Sequence, residues 1–208
     1  MAKTARKLGI VMVAMATASP AFAGQPTLLL QVDNWAGVPA PILQNAQAIA
    51  TDIYTAIGVD VRWTTNSQPA ADAAMRVTVL LLSGHAEERV RATALADILG
   101  IAPDNSGRVY IFNDRIADLA RTRDRSLRLV LGRVVAHEVG HLLLPGKGHS
   151  RSGIMRGKLD YRSDEPGFTT DEAASIRAML SSVMAAQAVP NSPVVDASGT
   201  ETGRSQVP

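Results

Sequence analysis

The sequence turns on Ala136-His137-Glu138-Val139-Gly140-His141, continued by Leu142-Leu143-Leu144-Pro145-Gly146-Lys147-Gly148-His149-Ser150. Three of the chain's four histidines fall within it. His137 and His141 are four residues apart, so on an α-helix they lie one above the other on one face and both imidazoles can reach a single metal ion. Glu138 projects about 100° round the helix from His137, which sets its carboxylate beside such an ion, where it can hold and deprotonate a water. With 4 histidines and 6 glutamates in 208 residues, an HExxH pattern arises by chance in about 0.2 per cent of such chains. Coincidence is therefore a poor account of it. Upstream, Leu127, Val130, Leu131, Val134 and Val135 recur at helical spacing and run into the motif without a break, with Asp124 or Ser126 as the N-cap.

Residues 1–23 read as a secretory signal. Lys3, Arg6 and Lys7 make a basic start, Leu8 to Ala18 is an apolar run too short to span a bilayer, and Ala21-Phe22-Ala23 is a small-x-small cleavage site. The mature chain is expected to begin at Gly24, outside the cytoplasm in the periplasm or the medium, with no membrane association after cleavage. The full chain has 21 basic and 19 acidic residues. Three of the basic ones leave with the signal, so 18 face 19 and the net charge becomes about −1. That balance gives no footprint for a nucleic-acid partner. The absence of cysteine excludes disulfides, thiolate metal ligands, a cysteine nucleophile and a lipid-anchored cysteine. Any metal must be held by nitrogen and oxygen.

The remaining sequence predicts one domain over residues 24–186. Thr27–Val32 reads as a buried strand, close enough to the cleavage site to leave no room for a prodomain. Ile42–Ile57 reads as an amphipathic helix ended by Gly58, and Val59–Thr64 and Met75–Leu82 as strands. Within 85–106 the pattern does not separate a short strand at 93–100 from a helical turn. Isolated His85 reads as a surface residue. Arg108–Phe112 is a strand. Between Asp114 and Arg128 lie Arg115, Arg121, Arg123, Arg125 and Arg128, broken by Asp118 and Asp124. An anionic-substrate patch and a solvated face leading into the long helix are the two readings, and the mixed signs favour the second. Pro145–Phe168 is glycine-rich loop, and Thr169–Ala186 a last helix capped by Thr170 with Asp171 and Glu172 in its first turn. Residues 187–208 read as a disordered tail.

A catalytic zinc takes three protein ligands and keeps one position open. His149 is the nearest third candidate, and Met155 follows it by six residues. An HExxH helix, a downstream His-Ser pair and then a methionine resemble the metzincin clan of zinc endopeptidases, whose pattern is HExxHxxGxxH with a turn methionine beneath the metal. The specific part of the resemblance is 137–155, and the order of elements extends it over about 27–186. It implies an α+β catalytic domain, with a twisted mixed sheet, a long active-site helix and a C-terminal helix. It also implies zinc held by His137, His141 and His149, Glu138 as general base, Met155 in the turn, and a peptide or protein substrate. The pattern departs in two places. Leu144 stands where the clan has glycine, and His149 comes eight residues after His141 instead of six. A helix running on to Leu144, broken at Pro145-Gly146 and followed by Gly148, can absorb the two extra residues.

Two other readings stay open. In a gluzincin-like site the third ligand is a glutamate, here Glu165 or Glu172. In the other, the chain is a catalytically silent zinc-binding protein on a peptidase-like scaffold. Tyr161 is a weak candidate for polarising a substrate carbonyl. The leading expectation is a secreted zinc-dependent endopeptidase. The oligomeric state is not legible in the sequence.

Overall fold

The computed structural model describes residues 24–65, 73–91, 98–158 and 167–188. Its elements, in chain order, are β1 (Thr27–Asn34), α1 (Ala40–Thr55), β2 (Asp60–Thr64), β3 (Met75–Leu82), α2 (Gly84–Arg91), β4 (Gly100–Ile101), β5 (Arg108–Phe112), α3 (Asn113–Thr122), α4 (Leu127–Leu143) and α5 (Thr170–Ala188). The signal segment 1–23, Tyr161, Glu165 and the tail beyond Ala188 lie outside the described residues, as does the side chain of His85.

The strands form one five-stranded sheet in the order β2-β1-β3-β5-β4. β1 pairs in parallel with β2 and β3, and β3 in parallel with β5. Only β4, at the edge, runs antiparallel, with Gly100 opposite Ile111 and Ile101 opposite Tyr110. Side chains alternate across a strand. Leu28, Leu30 and Val32 of β1, Val77, Val79 and Leu81 of β3, and Val109 and Ile111 of β5 therefore share one face, where they join the main core with residues of α1 and α4. The opposite face is polar at Gln31, Arg76 and Arg108. There α2 shelters a small second cluster of Leu80, Leu82 and Phe112. This is the mixed-sheet α+β architecture expected from the sequence.

The approach of α1 to α4 is set by Gly132. A Cβ there would stand 2.6 Å from the Ala46 carbonyl oxygen and 2.9 Å from the Ile49 Cβ, so only glycine admits the contact. The Tyr54 hydroxyl, buried, donates to the Ala136 carbonyl at 2.9 Å, which fixes α1 against the turn that precedes His137.

The structure differs from the sequence reading at several local points. Residues 84–91 are helical, and β4 is two residues long. A separate ten-residue helix, α3, occupies most of the arginine-rich stretch, because Ile116 and Ala120 sit one turn apart and are buried. Ser126 is the residue before α4 but makes no side-chain cap, and Asp124 instead takes a left-handed conformation (φ +50°) in the turn from α3. The last helix is capped by Thr169 and not Thr170. The Thr169 hydroxyl accepts from the Glu172 N–H at 3.3 Å and the Glu172 carboxylate accepts from the Thr169 N–H at 2.8 Å, a capping box. Helix α5 then runs to Ala188, two residues into the stretch expected to be tail.

Candidate metal centre

His137, Glu138 and His141 lie in the last two turns of α4, buried except for the edge of His141. The helix stops at Leu143, and Leu144 leaves helical geometry (φ −123°, ψ 57°). Gly146 follows in a left-handed conformation (φ +72°), which lets the chain reverse. The return carries His149 back toward the helix. One ring nitrogen from each of His137, His141 and His149 lies within 4.8 Å of the others. The ring centroids are 4.7 Å apart for His137 and His141, 5.2 Å for His137 and His149, and 5.0 Å for His141 and His149.

The donor set fits a tetrahedral dication. Histidine nitrogens about 2.0 to 2.1 Å from zinc in tetrahedral directions lie about 3.3 Å from one another, and His137 Nε2 and His141 Nε2 are 3.1 Å apart. His137 Nδ1 donates to the Ile154 carbonyl at 2.7 Å, which places its proton on that side and turns the Nε2 lone pair into the cluster. Burial lowers the pKa of His137 from its ordinary value, and nearby His149 adds to the fall against the opposing effect of the Ile154 carbonyl. Burial, helped by His137 and His149, brings His141 down to about 4. Neutral imidazoles with converging lone pairs are what a metal ion needs. The three could coordinate one, and nitrogen-only donors of this kind suit Zn2+.

Glu138 faces the same cleft as the three histidines. It is 7% exposed, and burial pushes its carboxyl up to about 8. The edge strand β4 lies directly on it. A Cβ on Gly100 would stand 2.7 Å from the Glu138 Cγ and 2.9 Å from its Oε1. Gly100 thus lets strand backbone and carboxylate touch.

Beneath the histidines the loop folds on itself. The Ser150 N–H donates to the Met155 carbonyl at 2.8 Å, and the Ile154 N–H to the Gly167 carbonyl at 2.8 Å. Met155 is 1% exposed, and its Sδ lies 2.6 Å from where a Cβ on Gly140 would be. The Ser150 hydroxyl donates to Glu172 Oε1. Glu172 therefore closes the capping box of α5 and ties down the residue that follows His149.

Of the candidates raised by the sequence, His137, His141 and His149 converge, and Glu138 shares their cleft. Glu172 is committed to Thr169 and Ser150 and is not one of the converging groups. Four features were not anticipated: Gly100 against Glu138, the Ile154 carbonyl on His137, the Glu172–Ser150 bond, and Gly157, where a Cβ would lie 3.2 Å from His149 Nδ1. Only Glu172 carried a signal in the sequence, through its capping-box spacing from Thr169.

No protein-family model matches the chain, and no curated protein does. Among solved structures, the chain is similar to a zinc-dependent peptidase from Methanocorpusculum labreanum (strain Z), with a TM-score of 0.50 and 13% identity over 72% of this chain and 99% of that one. The archaemetzincin from Methanopyrus kandleri aligns with a TM-score of 0.45 and 15% identity over 78% of this chain and 99% of that one. At such identity the first likeness speaks for the fold, and the chain accordingly has the fold of a zinc-dependent peptidase.

Proposed function

We propose that this chain is a secreted zinc-dependent endopeptidase, metzincin-like in its ligand set. The observation that carries the reading is the convergence of His137, His141 and His149 in one cleft with a buried glutamate one residue from the first of them. His137, His141 and His149 would hold the zinc. When bound, zinc supplies carbonyl polarisation and lowers the pKa of a water to about 7. Glu138 takes a proton from the attacking water and returns it to the nitrogen of the departing amine as the C–N bond breaks. Its place in the same cleft as the three histidines suits that double role. The Ile154 carbonyl fixes the tautomer of His137, Met155 fills the space under α4 as the turn methionine, and Glu172 through Ser150 holds the loop bearing His149. Residues 1–23 direct the chain out of the cytoplasm, and 24–186 is the working domain. Among the described residues no helix is long and apolar enough to cross a membrane.

The deciding experiment is Glu138→Ala in zinc-loaded protein against casein and a broad peptide library. The variant should bind a full equivalent of zinc and cleave at least about 100-fold more slowly than the parent. Equal rates with equal zinc would sink the mechanism. Complete inactivity of the parent on every substrate would instead favour a silent zinc-binding protein.

A further inference from the structure

The cleft that holds the histidines and Glu138 has a volume of about 1020 Å³, large enough for several residues of an extended peptide. Its charge is one-sided. Arg123 and Arg125 reach it from the turn between α3 and α4, and Lys147, Arg156 and Lys158 from the loop after α4. Among the described residues, Arg123, Arg125 and Lys158 make no ion pair, and the Lys147 ammonium donates to a neutral group, the Ser175 hydroxyl, at 2.7 Å. The acidic groups on the walls do not balance them. Among the described residues of the lining, Asp118 is engaged by Arg121 at 2.9 Å, which leaves Asp104 and Glu138 against five cations. The sixth cation of the lining, Arg115, is already neutralised by Glu87 at 2.8 Å. Asp124, between the two arginines in sequence, does not line the cleft.

Among the described residues, cations from two segments separated in sequence by the whole of α4 thus meet in one cleft. A low-dielectric wall of one sign focuses its field on the opening. We infer that the substrate is a peptide carrying aspartate or glutamate close to the scissile bond, drawn in by Arg123, Arg125, Lys147 and Lys158, which all line the cleft. This rests on the endopeptidase reading.

Matched peptides test it, one with Glu flanking the cleaved bond and one with Gln at the same places. Exposed ion pairs contribute roughly two- to five-fold each, so two contacts give kcat/KM about tenfold higher for the Glu peptide at 0.15 M salt. At 1 M salt, where the screening length falls to about 3 Å, the ratio should shrink to near two. In the double variant Arg123→Glu, Arg125→Glu, checked for unchanged circular dichroism and zinc content, the ratio should fall to one or below. A Gln peptide cleaved as fast as the Glu peptide, or a ratio indifferent to salt, would overturn the inference.

A second readout separates this idea from the catalytic one. Zinc-loaded Glu138→Gln protein should bind the fluorescently labelled Glu peptide about tenfold more tightly than the Gln peptide. If the parent cleaves nothing yet this difference is present, the endopeptidase reading fails and the acidic-peptide reading stands. If neither peptide binds preferentially, or if a single-stranded oligonucleotide binds and the Glu peptide does not, the acidic-peptide reading fails.

Discussion

Replacing Glu138 by glutamine should stabilise the metal-free protein at neutral pH while abolishing its chemistry. The carboxyl is pushed up to about 8 in the folded chain by burial against β4, and in the unfolded chain it titrates near 4.5. A raised folded pKa means that folding takes up a proton between those values. The contribution to stability is therefore complete below pH 4.5 and is lost as pH rises toward 8. The loss is about 1.4 kcal/mol per pH unit. It amounts to about 4 kcal/mol at pH 7.5 if the site stays dry, and about half that if water enters. Glutamine has nothing to ionise and nearly the same shape, so it escapes the loss. The stability gap between variant and parent should be near zero at pH 4.5 and should widen steadily to pH 8. For a domain of this size each kcal/mol moves the melting temperature by roughly 2 to 4 °C, so a gap of about 5 to 15 °C is expected at pH 7.5. Thermal and urea unfolding of chelator-treated protein at pH 4.5, 6 and 7.5 measures it. A gap that stays flat with pH would refute the claim that Glu138 is desolvated in the folded chain. In zinc-loaded protein the gap should narrow, because a neighbouring dication favours the carboxylate. There the variant should lose at least about 100-fold in turnover.

The other predictions concern the supports of the site. His149→Ala should reduce zinc affinity by orders of magnitude, while Glu172→Gln, which keeps an amide able to meet Ser150, should retain full stoichiometry after dialysis against a weak chelator. The opposite pattern would make a glutamate the third ligand. Gly100→Ala drives a methyl group into Glu138, so peptidase rate should fall at least tenfold with zinc content unchanged, and a rate equal to the parent's would show that β4 yields. Gly140→Ala meets Met155 and Phe168 at 2.6 and 3.1 Å and should lower stability by about 1 to 3 kcal/mol in urea unfolding.

How far these features were legible depended on the range of the interaction behind them. The HExxH helix was legible because its chemistry is written at a spacing of four residues, and the parallel strands because burial on both sides leaves apolar runs such as Leu28 to Leu30 and Leu80 to Leu82. Helix α3 was hidden by its arginines, which drew attention to charge while Ile116 and Ala120 carried the helical period. The same arginines favoured the bland reading of a solvated face, and only the cleft shows that Arg123 and Arg125 line it together with the loop after α4. Two-residue β4 has too little sequence to show a period, and its importance lies in a missing side chain at Gly100. The place of His149 depended on a loop whose closure is decided by contacts to Gly167 and Glu172, remote in sequence.

Glu172 gives the centre an assembly order. Two of the three imidazoles stand on α4, a single helix, and meet as soon as it forms. The third arrives only when a loop closes and α5 has been nucleated at Thr169, since one carboxylate both starts that helix and clasps Ser150. A metal ion met during folding would then be held first by the two histidines of α4 and by His149 only once the loop closes, and its capture is expected to be biphasic. Its slow phase reports the docking of α5, so the occupancy of the centre becomes a gauge of whether the last helix has come home.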